Sequence, residues 1–184
     1  MSREQEKPVH VLHVVPTLGA GGLELAMSRV VNALVRQGMR HSICCLKGEA
    51  VIRDHFDGTV DIHCLRSVPN DVMLPFRLRK LIRTTHPTLI HARNWGAWPD
   101  TVLARLSVLP QVPLIFSFHG SDSTGWMPLR RRITCRLLAC ATDYIFTVCA
   151  ASRNMLAKDI GLSAERVAVI SNGVDTCRFC PSPT

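Results

Sequence analysis

A glycine-rich turn directly after an apolar strand most narrows what this chain can fold into. Val9 to Val15 reads V-H-V-L-H-V-V, and Pro16-Thr17-Leu18-Gly19-Ala20-Gly21-Gly22 follows it. From Leu23 to about Arg36 the apolar residues then recur with a helical period. Strand, glycine loop and helix in that order make the first unit of a nucleotide-type α/β domain.

The alternation continues through the 184 residues. Apolar strand segments fall near 9–15, 41–46, 60–65, 88–92, 113–118, 143–148 and 166–170. Helical segments fall near 23–37, 50–56, 72–85, 97–108, 127–141 and 150–159. Short strands separated by longer helices predict a Rossmann-like, doubly wound parallel sheet of about seven strands with helices on both faces. Gly38, Asp57-Gly58, Pro69-Asn70-Asp71, Pro110 and Gly161 punctuate the segments. The expected layout is a flexible N-terminus at 1–8, one α/β domain over 9–176, and a truncated linker or tail at 177–184.

Composition supports a globular domain, with 47% of residues hydrophobic and 20% charged. No apolar run is long enough to span a bilayer, and Met1 to Lys7 lacks the apolar stretch of a secretory signal. A cytoplasmic location is therefore expected. Most of the eight cysteines lie in apolar segments, Cys44, Cys45, Cys135 and Cys140 among them, where a free thiol behaves as a small hydrophobe. Cys177-Arg178-Phe179-Cys180 is formally C-x-x-C, but it sits in a terminal tail and no second pair completes a zinc site. His10, His13, His41, His55, His63 and His86 read as scattered and make no H-x-x-x-H, so no metal is expected. A G-x-S-x-G elbow and a G-K-[ST] loop are both missing.

The net charge of +8 favours acidic partners: phosphates, anionic lipid or nucleic acid. Much of it falls in Arg77–Arg83 and Arg130–Arg136. Nucleic acid is the weakest of these readings, because aromatics make up only 5% and neither a helix-turn-helix nor an RNA-binding aromatic signature is present.

Four constellations carry chemistry. In Gly19-Ala20-Gly21-Gly22 a dinucleotide fingerprint would place its third glycine at Glu24, which argues against an NAD site. What remains is a loop whose backbone can approach a phosphate or crowded sugar at a helix start, or else a tight structural turn. Phe116-Ser117-Phe118-His119-Gly120-Ser121-Asp122 runs from a strand into a histidine, and parallel sheets bind ligands at strand carboxyl ends. His119 there can donate a hydrogen bond or carry a proton near neutral pH. His91-Ala92-Arg93-Asn94-Trp95 also ends a strand. Arg93 can hold a phosphate or carboxylate, and Trp95 and Trp98 can offer a flat face to sugar or lipid. A packed helix start with Arg93 in solvent is the competing reading. Val169-Ile170-Ser171-Asn172-Gly173-Val174-Asp175 is a strand followed by an Asn-Gly turn.

Taken in order, these segments resemble the N-terminal domain of a family 4 retaining glycosyltransferase of the GT-B type. V-L-H-V-V-P-T-L-G-A-G-G-L-E at 11–24, L-I-H-A-R-N at 89–94, F-S-F-H-G-S-D at 116–122 and V-I-S-N-G-V-D-T-C-R-F at 169–179 carry the likeness. It implies one half of a GT-B fold, in which an acceptor-binding domain faces a donor-binding domain across a cleft. By that likeness Gly21 and Gly22 lie near the donor phosphates and acceptor, and His119 is the catalytic-site residue facing the donor sugar. Arg93, Asn94 and Asp122 line the acceptor side, and Asn172 to Asp175 lead into the second domain. The implied reaction moves a sugar from a nucleotide-sugar to a glycan or lipid-linked acceptor in cell-surface polysaccharide or glycolipid synthesis. The nucleotide-sugar is a co-substrate, and no further cofactor or metal is implied.

The family's donor-side cation and paired glutamates belong to its second domain, and Cys177 and Cys180 replace the polar residues usual after N-G-V-D. Residues 1–184 alone are therefore expected to have little or no activity, since diphosphate charge would go unanswered. The basic segments 76–83 and 129–138 carry apolar stripes, Leu78-Leu81-Ile82 in one and Leu129-Ile133-Leu137 in the other. They fit a protein resting on an anionic membrane at its inner face, or else solvated helix surfaces. A separate donor-domain partner, or a non-catalytic sugar- or phosphate-binding module, is the alternative reading.

Overall fold

The computed structural model describes residues 8–120 and 128–173. Strands β1 (His10–Val15), β2 (Arg40–Cys45), β3 (Asp61–Cys64), β4 (Leu89–Arg93), β5 (Leu114–Phe118), β6 (Tyr144–Thr147) and β7 (Val167–Val169) form one parallel sheet. Their order is β3-β2-β1-β4-β5-β6-β7, so the chain winds outward in both directions from β1 and β4. Between those two strands the connections part, and a crevice opens at the strand carboxyl ends. All seven expected strands are present. Helices α1 (Gly22–Val35), α2 (Leu74–Thr85), α3 (Trp98–Leu106), α4 (Leu129–Cys140) and α5 (Ala150–Ile160) connect them.

The helix expected over 50–56 is reduced to a short 3-10 turn, Arg53–His55. Its window is too brief to repay helix nucleation. Tertiary contacts also claim it: Ile52 and Phe56 insert against Met27 and Val31 of α1. The Asn32 side chain donates to the His55 carbonyl and accepts from the Asp57 N–H, both at 2.9 Å.

Strand alternation sorts side chains between two cores. Leu12, Val14, Ile90, Ala92, Leu114 and Phe116 face the layer of α2, α3, α4 and α5. Val15, Ile43 and Cys45 face α1. Adjacent Cys44 and Cys45 thus enter opposite cores, and burial pushes both thiols up, Cys45 to about 11. Right-handed crossovers explain the distribution of helices: winding from β1 to β2 puts α1 on one face, and every crossover the other way puts its helix on the opposite face. Among the described residues α1 is the one helix on its side, so β4, β5 and β6 are partly open there.

Candidate functional site

The β1–α1 loop brings the glycines to the carboxyl edge of the sheet. Gly21 is the N-cap of α1, in extended conformation and with no side-chain cap. A side chain there would meet the Glu24 carboxylate, which folds back over the helix start and opposes its positive dipole end. A side chain at Gly22 would meet nothing within 4 Å, so that side of the turn is open to a ligand's approach. A Cβ on Gly96, just after β4, would come within 3.0 Å of the Pro16 ring. The two loops flanking the crevice therefore touch, a contact that glycine spacing along the chain did not signal.

Asn94 ties the ends of β4 and β5 together. It has left-handed backbone (φ 62°), a region Asn tolerates better than most residues. Its N–H donates to the Ser117 carbonyl at 2.8 Å, and its Oδ1 accepts from the His119 N–H at 3.0 Å. The Ser117 hydroxyl lies 2.8 Å from Nε2 of both His91 and His119. Nδ1 of His119 is buried without a partner among the described residues.

Two of the histidines read as scattered, His13 and His41, prove to be neighbours of each other and of the strand-end His91. In register, His13 of β1 pairs with His91 of β4, and both side chains stand on the α1 face. His41 of β2 stacks on His13 with ring centroids 5.3 Å apart, and His13 Nε2 lies 3.0 Å from His41 Nδ1. His10 stands apart, bonded to Ser42 at 2.8 Å. Burial, aided by the Arg93 charge, holds His13 and His91 well below the usual imidazole value. The same two causes push His119 down to about 4, so it is neutral near pH 7.

Arg93 is buried among these rings rather than solvated, and burial lowers its pKa to about 10. It lines a groove of about 760 Å³ between α1, the open strand face, and the segment after β7 that includes Asn172. Asp122 and Asp175 lie outside the described residues. Trp98 is removed from any ligand role: it is fully buried, stacks on Phe116 at 3.9 Å, and donates its indole N–H to Thr142 Oγ1 at 2.9 Å. Trp95 is half-buried against Phe118, with the Arg131 guanidinium 5.6 Å from its ring.

The family model for glycosyltransferase family 4 matches residues 20–178. Among solved structures, a glycosyltransferase from Rickettsia africae ESF-5 superposes with a TM-score of 0.76 at 18% identity, covering 95% of this chain and 47% of that one. Anabaena Alr3699/HepE, solved with UDP and glucose, gives 0.70 at 19% identity, with 95% and 47% covered. The lipopolysaccharide outer core galactosyltransferase WaaB, in its apo form, gives 0.67 at 13% identity, with 90% and 46% covered. The chain thus spans about half the length of these proteins. The search of curated proteins finds no match. A seven-stranded Rossmann-like half of the GT-B architecture, together with a family match over most of the sequence, makes this chain a member of glycosyltransferase family 4.

Proposed function

We propose that this chain is the acceptor-side domain of a retaining sugar transferase. The observation that carries the reading is convergence: β1, β4 and β5 end at one sheet edge, and there the Gly21-Gly22 turn, Asn94 and His119 follow them. The backbone at Gly21 and Gly22 approaches the donor phosphates, and His119 offers a hydrogen bond to the donor sugar through its unengaged Nδ1. Arg93, Asn94 and Asp122 serve the acceptor side, with Asn94 positioning His119. Asn172 and Asp175 lead toward a donor-binding domain.

The donor is a nucleotide-sugar, in keeping with the UDP and glucose of the Anabaena protein. The acceptor is a glycan or lipid-linked sugar, met at the inner face of an anionic membrane. The outward stripe of α4 supports that location: Leu129, Ile133 and Leu137 are exposed, Arg130, Arg131 and Arg132 flank them, and the helix contains no carboxylate.

The test is transfer by the protein together with its donor-binding half. His119→Ala is expected to lower kcat by about 100-fold or more, with KM little changed and the fold intact by circular dichroism. Wild-type turnover in that variant would refute the role of His119.

A further inference from the structure

Among the described residues two arginines are buried, and the fold treats them differently. Arg105, 6% exposed, donates from Nε to the Val112 carbonyl at 2.7 Å, from Nη1 to the Ala141 carbonyl at 2.9 Å and from Nη2 to Asp143 Oδ2 at 2.7 Å. Arg93 is just as buried, at 7% exposed, but its one polar contact among the described residues is Nη2 at 3.5 Å from His13 Nδ1. Among the described residues its Nε has no partner. The described residues lining its groove include no carboxylate, and Arg29 and Arg36 add to the positive charge. A buried cation without a counter-ion is strongly destabilising, so its partner is expected to come from elsewhere.

We propose that Arg93 is the seat of a phosphate group of a ligand that enters along the groove between α1 and the open face of β4, β5 and β6. A guanidinium fork suits a tetrahedral oxyanion, and Arg29 and Arg36 at the groove match a second negative charge. His119 lines the same groove. The walls at Val30, Ile115 and Phe146 are apolar, so an alkyl phosphate has somewhere to lay its chain. The inference deepens the acceptor-side reading by naming the charge the acceptor brings.

The experiment is titration of the 184-residue chain with inorganic phosphate and with butyl phosphate at fixed ionic strength, followed by calorimetry and 31P line width. Saturable binding is expected, about tenfold weaker or more in Arg93→Met. Without phosphate, Arg93→Met is expected to melt at or above the wild-type temperature, because it removes an uncompensated charge. Arg93→Lys keeps the charge without the fork, and intermediate binding is expected. Tighter binding of butyl phosphate assigns the site to a phosphate ester, and equal binding to free phosphate. Phosphate that binds no better than chloride, or binds Arg93→Met as well as wild type, overturns the inference. Sugar transfer does not enter this readout. Failed binding would therefore sink the phosphate site and leave the acceptor-side reading standing, and intact binding without sugar transfer when the donor-binding half is supplied would do the reverse.

Discussion

Burial decides the chemistry of the histidines. His10, His13, His41, His91 and His119 all have lowered pKa values, in each case with desolvation as the largest cause. Their ordinary value is 6.5, and His119 falls to about 4. Between those values the unfolded chain binds protons that the folded chain does not, so unfolding free energy rises with pH across this window. Stability should be complete above about pH 6.5 and fall as pH drops toward about 4, as imidazoles in the unfolded state charge first. A series of thermal melts from neutral to mildly acidic pH checks this, and His119→Gln should make the fall shallower. A profile flat across the window would mean that these rings protonate in the fold without cost.

Two apolar rows run along α4, and periodicity alone does not say which one faces the sheet. Leu129, Ile133 and Leu137 recur at regular helical spacing, yet they are 68%, 50% and 67% exposed. The packing row is Cys135, Leu138 and Ala139. Exchanging the outward residues should therefore cost little: Ile133→Ser is expected to shift stability by at most about 0.5 kcal/mol. Leu138→Ala removes core contacts and should cost about 2–4 kcal/mol by urea denaturation. If the outward row rests on lipid, wild-type protein should sediment with vesicles containing anionic lipid and not with neutral ones. A triple Leu129→Ser, Ile133→Ser, Leu137→Ser variant should lose that partition. Equal sedimentation with both vesicle types would show a merely solvated helix.

The sheet winds outward from β1 and β4, and this places the candidate site at one edge while leaving one face under a single described helix. The chain covers about half of each solved structure named above, and on the proposed acceptor-side reading catalysis takes place against a facing donor-binding domain. The purified 184-residue chain is accordingly expected to turn over no nucleotide-sugar by itself, and to gain turnover when a donor-binding half is supplied. Nucleotide-sugar consumption, followed by release of the nucleoside diphosphate, measures this. Turnover by the 184 residues alone would show that the donor groups lie within them.

Strand segments, five of the helices, their order and the parallel sheet were legible along the chain, because apolar periodicity is local and every crossover but that from β2 to β3 leaves its own helical stretch. The glycine turn and the strand ends at Arg93-Asn94 and His119 were legible for the same reason. The 50–56 segment was not: its apolar residues fit a helix, but contacts with α1 hold it in a single 3-10 turn. The histidine cluster was not legible either. His13, His41 and His91 lie far apart in sequence, and only strand register and side-chain parity bring them to one face. The same holds for Arg93. Its residue type and strand-end position follow from the sequence, but whether its charge meets water, a carboxylate or nothing depends on what packs around it. Local pattern sets which elements form; charge compensation and burial belong to groups distant along the chain, and so only the assembled fold decides them.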